Sequence, residues 1–193
     1  MNTLTNPPTL EHLGKMQGFG PVTLSFELSP TPPPQEMVSN IHLVPFVGNR
    51  CVLIEVDWGN KDFSRFAMPG GTLEPGETWR QAAHRELVEE AGARVLSITP
   101  FAFLRGHTSS PDPYRPHLPH PDFFWVIGWA EVELVGDPLN PDDGEHVVDV
   151  RCTDVESAAR TFEDCGELWT ADAYRLAAYL RSNACEQPAN SNR

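Results

Sequence analysis

The chain is short of basic residues, of cysteine and of any long apolar run. Its 14 lysines and arginines face 27 aspartates and glutamates, a formal net charge of -13. That field repels polyanions, and no basic stripe is present to overcome it, so a nucleic-acid polymer is not expected as a partner. The four cysteines, Cys51, Cys152, Cys165 and Cys185, lie far apart. Their spacing supplies neither the close pairs of a zinc site nor the density of a secreted disulfide scaffold, and they read as reduced thiols. The longest apolar runs, such as VIGWAEV, fall well short of the roughly 18 to 20 residues that span a bilayer. With no charged-then-apolar leader at the N-terminus either, no membrane contact is expected, and a soluble cytoplasmic protein is. Internal repeats and low-complexity tracts are missing too.

What is present suffices for one core. The 193 residues are 40% apolar, enough for one compact domain and too few for two of ordinary size. Residues 1–37, rich in proline and glycine and including TPPP at 31–34, read as an N-terminal arm. Within the arm, VTLSFEL at 22–28 alternates apolar and polar residues as a strand does. It can pair with a sheet edge in the same chain or in a second copy, which keeps a homodimer open. The folded domain is expected over 38–184, with a disordered tail at 185–193.

Inside that domain, IHLVPFV and CVLIEV flank the Gly48-Asn49 turn and predict a hairpin. VLSITPFAFLRGHT and DFFWVIGWAEVELV predict two further strands, separated by SSPDPYRPHLPHP at 109–121, a connection long for a simple turn. HVVDVRC at 146–152 reads as a last strand and TADAYRLAAYLRSNA at 170–184 as a closing helix. Strands on both sides of a central helix, with another helix at the end, predict an α/β fold with a mixed sheet covered on both faces.

The central helix spans about 79–91. Thr78 with Gln81 three residues on forms a capping box at its start, and Gly92 suits a left-handed terminus. Trp79, Ala83 and Leu87, at helical spacing, form the face that docks on the sheet. Glu86, Glu89 and Glu90 stand at i, i+3 and i+4, so their carboxylates share an arc of about 100°. Like charges at these spacings cost a few tenths of a kcal/mol per pair, and acids in the last turn oppose the helix dipole. Arg85 can offset part of this through a pair with Glu89, and a solvated acidic face explains many such runs. The preceding PGGTLEPGE, with its glycines and prolines, demands a tight, specifically shaped loop.

Loop and helix together, GGTLEPGETWRQAAHRELVEEAGA at 70–93, closely resemble the Nudix box, G-x5-E-x7-R-E-U-x-E-E-x-G-U, where U is a bulky apolar residue. Gly71, Glu77, Arg85, Glu86, Leu87, Glu89, Glu90 and Gly92 fall at the required spacings. Ala93 departs, replacing a larger aliphatic residue, which touches local packing rather than the acids. The resemblance implies a Nudix-type α/β/α sandwich and hydrolysis of a phosphoanhydride bond. The substrate would be a small phosphorylated compound, a nucleoside diphosphate linked to another moiety. It implies Mg2+ as cofactor, with Mn2+ able to substitute, and oxygen-only ligands suit either cation.

Residue by residue, the resemblance makes Glu86, Glu89 and Glu90 metal-binding and water-activating acids, with Glu86 or Glu90 receiving the proton. It gives Gly71 a metal-reaching backbone carbonyl, Arg85 the role of orienting a helix carboxylate, and Glu77 a supporting position beside Arg85. Family members often recruit another acid from a distant loop. In DDGEH at 142–146 the choice falls on Glu145, with Asp142 and Asp143 as alternatives. Tyr114 and Arg115, on the long connection, are candidates for substrate contact, Arg115 as a phosphate fork. His107, His117 and His120 lack metal-site spacing. Phe123, Phe124, Trp125 and Trp129 either stack on a base or pack in the core. Two other readings of the whole chain stay open: a nucleotide-sensing module without turnover, and a prenyl diphosphate isomerase that would need a catalytic cysteine such as Cys51.

Overall fold

Strand alternation and one helical stripe decide the architecture. The structure, a computed structural model, describes residues 7–15, 18–57, 59, 65–141 and 146–186, without the side chains of Cys185 and Glu186. Glu145, Asp142 and Asp143, and the tail beyond residue 186, lie outside the described residues. In chain order the elements are β1 (Val22–Leu28), β2 (Val38–Val47), β3 (Arg50–Val56), β4 (Phe66–Ala67), β5 (Gly70–Thr72), α1 (Trp79–Ala91), β6 (Ala93–Thr108), β7 (Asp122–Leu134), β8 (Val147–Thr153), α2 (Val155–Asp164) and α3 (Leu168–Glu186).

One mixed sheet runs β1-β6-β7-β2-β3-β4, with β5 added on β2 and β8 on β3. The β2–β7 pairing is parallel, Ile41 opposite Val126 and Val44 opposite Trp129. β1 pairs antiparallel with β6 of the same chain, from Val22 opposite Thr108 to Leu28 opposite Ala102. On its other side β2 forks. Its first half pairs with β5, Ile41 opposite Gly71, while its end pairs with β3, Phe46 opposite Cys51. The Nudix-like loop leaves from the mouth of that fork.

Period-two alternation along β2 divides the core. Ile41 and Leu43 pack in the cluster that holds Trp79, Ala83 and Leu87 of α1. Val44 and Phe46 pack instead with Ala158 and Phe162 of α2 and Tyr174 of α3. The result is the expected α/β/α sandwich, and the expected docking stripe of α1 is buried. Each fully buried leucine or isoleucine contributes roughly 1.5–3 kcal/mol of transfer free energy. Tyr174 reaches through this layer to donate to the Val52 carbonyl at 2.7 Å, so its buried hydroxyl is satisfied. None of the described helices is long and apolar enough to cross a membrane.

The sequence reading overlooked α2. Its signals are local: Asp154 caps it, accepting from Ser157 N at 2.9 Å. Val155, Ala158, Ala159 and Phe162 then give an i, i+3, i+4, i+7 apolar face. The isomerase alternative loses its cysteine. Cys51 is fully buried beneath α2 and α3, and burial pushes its thiol up to about 12, so it offers no thiolate near neutrality.

His42, also on β2, lies between Trp125 and Trp169, with ring centroids 5.3 and 6.2 Å away. The residue as a whole is partly accessible, but Nε2 is buried and has no hydrogen-bond partner among the described residues. Burial lowers its pKa from 6.5 to about 4. The unfolded chain therefore takes up this proton near pH 6.5 and the folded chain only near 4. Stability is full above that window, falls through it as the pH drops, and levels off below. The expected loss is about 3 kcal/mol. Urea denaturation at stepped pH should show it, and His42→Phe should remove this component of the slope, so that the difference between parent and variant changes by about that amount across the window. An unaltered slope in the variant contradicts this assignment.

Candidate active site

Both ends of α1 are fixed by local chemistry, and that sets the register of its acids. Gln81 N donates to Thr78 Oγ1 at 3.3 Å and Thr78 N to Gln81 Oε1 at 2.9 Å, the expected reciprocal box. At the other end Gly92 takes φ 56°, a left-handed conformation, and its N–H donates to the Val88 carbonyl at 3.2 Å. A Cβ there would lie 2.1 Å from the Gly136 carbonyl oxygen, so both backbone angle and space require glycine.

Arg85 organises the cluster. Nε donates to Glu77 Oε1 and Nη2 to Glu77 Oε2, both at 3.0 Å, a two-point fork. Nη2 also donates to the Thr72 carbonyl at 3.1 Å, while Nη1 donates to Glu86 Oε1 at 2.8 Å and to Glu89 Oε2 at 3.2 Å. All five N–H groups of the guanidinium are thereby used. Burial works against its charge, but the Glu77 hydrogen bonds and the Glu86 charge outweigh that and raise its pKa. Glu77 is shifted the other way: burial opposes ionisation, and the Arg85 bonds overcome it and lower its pKa.

The carboxylates differ in environment. Glu86 is 7% exposed and Glu90 5%, and Glu90 Oε2 accepts from Gly70 N at 2.8 Å. Burial raises the pKa of Glu86, with Arg85 opposing. A Cβ on Gly71 would stand 2.3 Å from Glu86 Oε1, so a side chain at residue 71 would displace the Glu86 carboxylate from this position. The structure thus brings Gly71, Glu77, Arg85, Glu86, Glu89 and Glu90 into one cluster. Arg85 sits between Glu86 and Glu89. Among the described residues no three acidic, histidine or cysteine side chains meet as a ready ligand set.

The donor chemistry nonetheless fits a hard divalent cation. Glu74, Glu77, Glu86 and Glu89 all lie within 4 Å of the single Arg85 guanidinium, and Glu90 joins them from the same helix. Negative charge is in excess, the donors are oxygens, and two of the acids are withdrawn from water, where an added cation offsets repulsion most.

The long connection folds back on the box. His117 Nε2 meets the Leu73 carbonyl at 2.8 Å and His120 Nε2 the Ser110 carbonyl at 2.9 Å, while His107 Nδ1 meets Asp122 Oδ1 at 2.9 Å. These contacts tie loops together. The Arg115 guanidinium lies over the Tyr114 ring at 5.8 Å, both residues are exposed, and Arg115 enters no ion pair among the described residues. Sequence reasoning did not single out Thr72, whose carbonyl anchors Arg85. Nor did it find Asn40, which donates to Thr72 Oγ1 at 3.2 Å; both contacts depend on the β2–β5 pairing. Arg85→Lys keeps the charge and loses the fork. Urea denaturation should show a loss of about 2 kcal/mol, from buried acids left short of donors. Parent-like stability would mean that the fork does not hold the loop.

A family model described as NUDIX domain matches residues 38–175. Among solved structures, the Bacillus subtilis pyrophosphohydrolase BsRppH, in mutant form, is similar at 20% identity and TM-score 0.49, over 67% of this chain and 72% of that one. A NUDIX hydrolase from Nitrosomonas europaea gives 18% identity and TM-score 0.48, over 69% and 89%. A structure described as ADP compounds hydrolase gives 18% and 0.49, over 75% and 73%. The family match spans well over half of the chain and contains the whole loop-and-helix cluster, and the protein is a member of the Nudix hydrolase family.

Proposed function

We propose that the protein hydrolyses a phosphoanhydride bond in a nucleoside diphosphate linked to another moiety, with Mg2+ as working cation and Mn2+ able to replace it. The observation that carries this reading is the Glu86 carboxylate, buried against a glycine that leaves it room and sharing one arginine with other acids. A bound divalent cation supplies positive charge to diphosphate oxygens and acidifies a water molecule. In this assignment Glu86, Glu89 and Glu90 and the Gly71 carbonyl hold the cation, with Glu145 completing the set from its loop.

Glu86 or Glu90 receives the proton from the attacking water. Arg85 orients Glu86 and Glu89, and Glu77 orients Arg85 in turn. Tyr114 and Arg115 are assigned to the substrate side of the long connection. A full set of box acids, held in place by a saturated arginine, favours turnover over nucleotide sensing.

Glu86→Gln and Glu90→Gln should each lower kcat on the order of a hundredfold or more, since each removes a ligand or base. Excess chelator should abolish turnover and added Mg2+ restore it. The check is a screen of nucleotide and non-nucleotide diphosphates, reading phosphate release and product mass; parent rates in both variants, or in chelator, would overturn the assignment.

A further inference from the structure

Two features border the acidic cluster. One is an aromatic cavity of about 590 Å³ beside the box loop, lined in part by Phe19, Asn40, Thr72, Phe123 and Trp125. The other lies at the far end of α1, where the chain leaving β7 wraps the helix terminus. An α-helix leaves its last carbonyls without intrahelical donors. Here Val135 N and Gly136 N donate to the Gly92 carbonyl at 2.9 and 3.2 Å, and Leu139 N and Asn140 N donate to the Glu89 carbonyl at 2.9 and 3.4 Å. The backbone of a box acid is thus held by residues far along the chain.

Asn140 does more than finish the helix. Its φ of 46° makes it the only non-glycine residue with positive φ among the described residues, a conformation that asparagine tolerates better than most side chains do. Its side-chain amide meets the first residue of β8 at both backbone groups: Val147 N donates to Oδ1 at 2.7 Å, and Nδ2 donates to the Val147 carbonyl at 2.9 Å. The other side of β8 belongs to β3, where the His146 carbonyl accepts from Asp57 N at 2.9 Å. The amide therefore stands where a neighbouring strand would. One residue ties the Glu89 carbonyl to the start of β8, and the sequence between, PDDGEH at 141–146, leaves and returns at this clamp.

We propose that Asn140 is a positioning residue for the divalent cation: by clamping Val147 to the end of α1, it presents the acid of the intervening segment, Glu145 in the assignment above, to the cation. The inference rests on the hydrolase reading for its cation and goes beyond it in naming the residue that delivers this ligand. A segment with free ends must be brought to the helix whenever the cation binds. Drawing its ends together beforehand removes that loop-closure cost from the binding step. Asn140 adds no charge of its own and touches only backbone groups, so its effect on the cation runs through Glu145. Both halves of the amide are needed, since a carboxylate in its place would accept from Val147 N and set an oxygen against the Val147 carbonyl.

The test is a double-mutant cycle on Mn2+ affinity, read by electron paramagnetic resonance on the full chain without substrate. Asn140→Gly keeps the positive φ and removes the clamp. It should weaken Mn2+ binding about tenfold or more, as loss of an outer partner of a metal site does. In the Glu145→Gln background the same change should cost nothing further. Urea denaturation without metal checks that each variant is folded. Should the glycine variant not fold, Asn140→Asp, which loses only the donor, takes its place and should also weaken binding despite its added charge. Parent-like affinity in the Asn140 variant would overturn the proposal. So would an equal loss in the Glu145→Gln background, because Asn140 would then act on α1 and not through the acid. Mn2+ affinity unchanged in Glu86→Gln would sink the hydrolase reading instead, and the two failures are distinct.

Discussion

The site depends on one guanidinium with no donor to spare. Arg85 bonds forward along its helix to Glu86 and Glu89, and back across the loop to Glu77 and the Thr72 carbonyl. A rigid planar fork can satisfy two oxygens of one acid and still span to others, whereas an ammonium concentrates its charge at a point. That geometry gives the separation of Glu77 and Arg85 in the sequence a physical meaning: Glu77 stands just ahead of the N-cap Thr78 and Arg85 within α1, so the opening turns of the helix bring acid and fork together. Together with the Gly70 N to Glu90 Oε2 bond, the fork holds the loop and the carboxylates in one frame.

The forked strand β2 presents that frame to the rest of the molecule. Its first half holds β5, and hence Gly71 and Thr72, on one edge, while β7 runs parallel on the other. Gly71, without a side chain, leaves the Glu86 carboxylate its place beside the loop. Its neighbour Thr72 bonds to Asn40 beside the aromatic cavity. One three-residue strand therefore joins the acids to the cavity, and the arm finishes the cavity from the far end of the sheet through β6.

What the sequence made legible is local. Thr78 with Gln81, Gly92 at the helix end and the Trp79, Ala83, Leu87 stripe each follow from contacts within a few residues, and the structure bears them out. The box acids were recognisable through the resemblance of the whole segment 70–93 to the Nudix box, since their helical spacing by itself fits a solvated acidic face as well. Contacts across the chain were not: the parallel β2–β7 pairing, His117 on the Leu73 carbonyl and Phe19 against Trp125 join residues whose own neighbourhoods carry no mark of the partner. α2 is a different case, since Asp154 and its apolar face were there to read. Trp125 was weighed between core and stacking, and it serves the core edge while lining the cavity.

The acids gathered around Arg85 outnumber its single charge, and in the proposed function they hold a divalent cation. Electron paramagnetic resonance of Mn2+ titrated into the parent and into Glu86→Gln tests it without any substrate. Saturable Mn2+ binding by the parent, displaced by Mg2+, is expected, weakened by about tenfold or more in the variant through loss of a charged oxygen ligand. Equal Mn2+ affinity in the two proteins would contradict it.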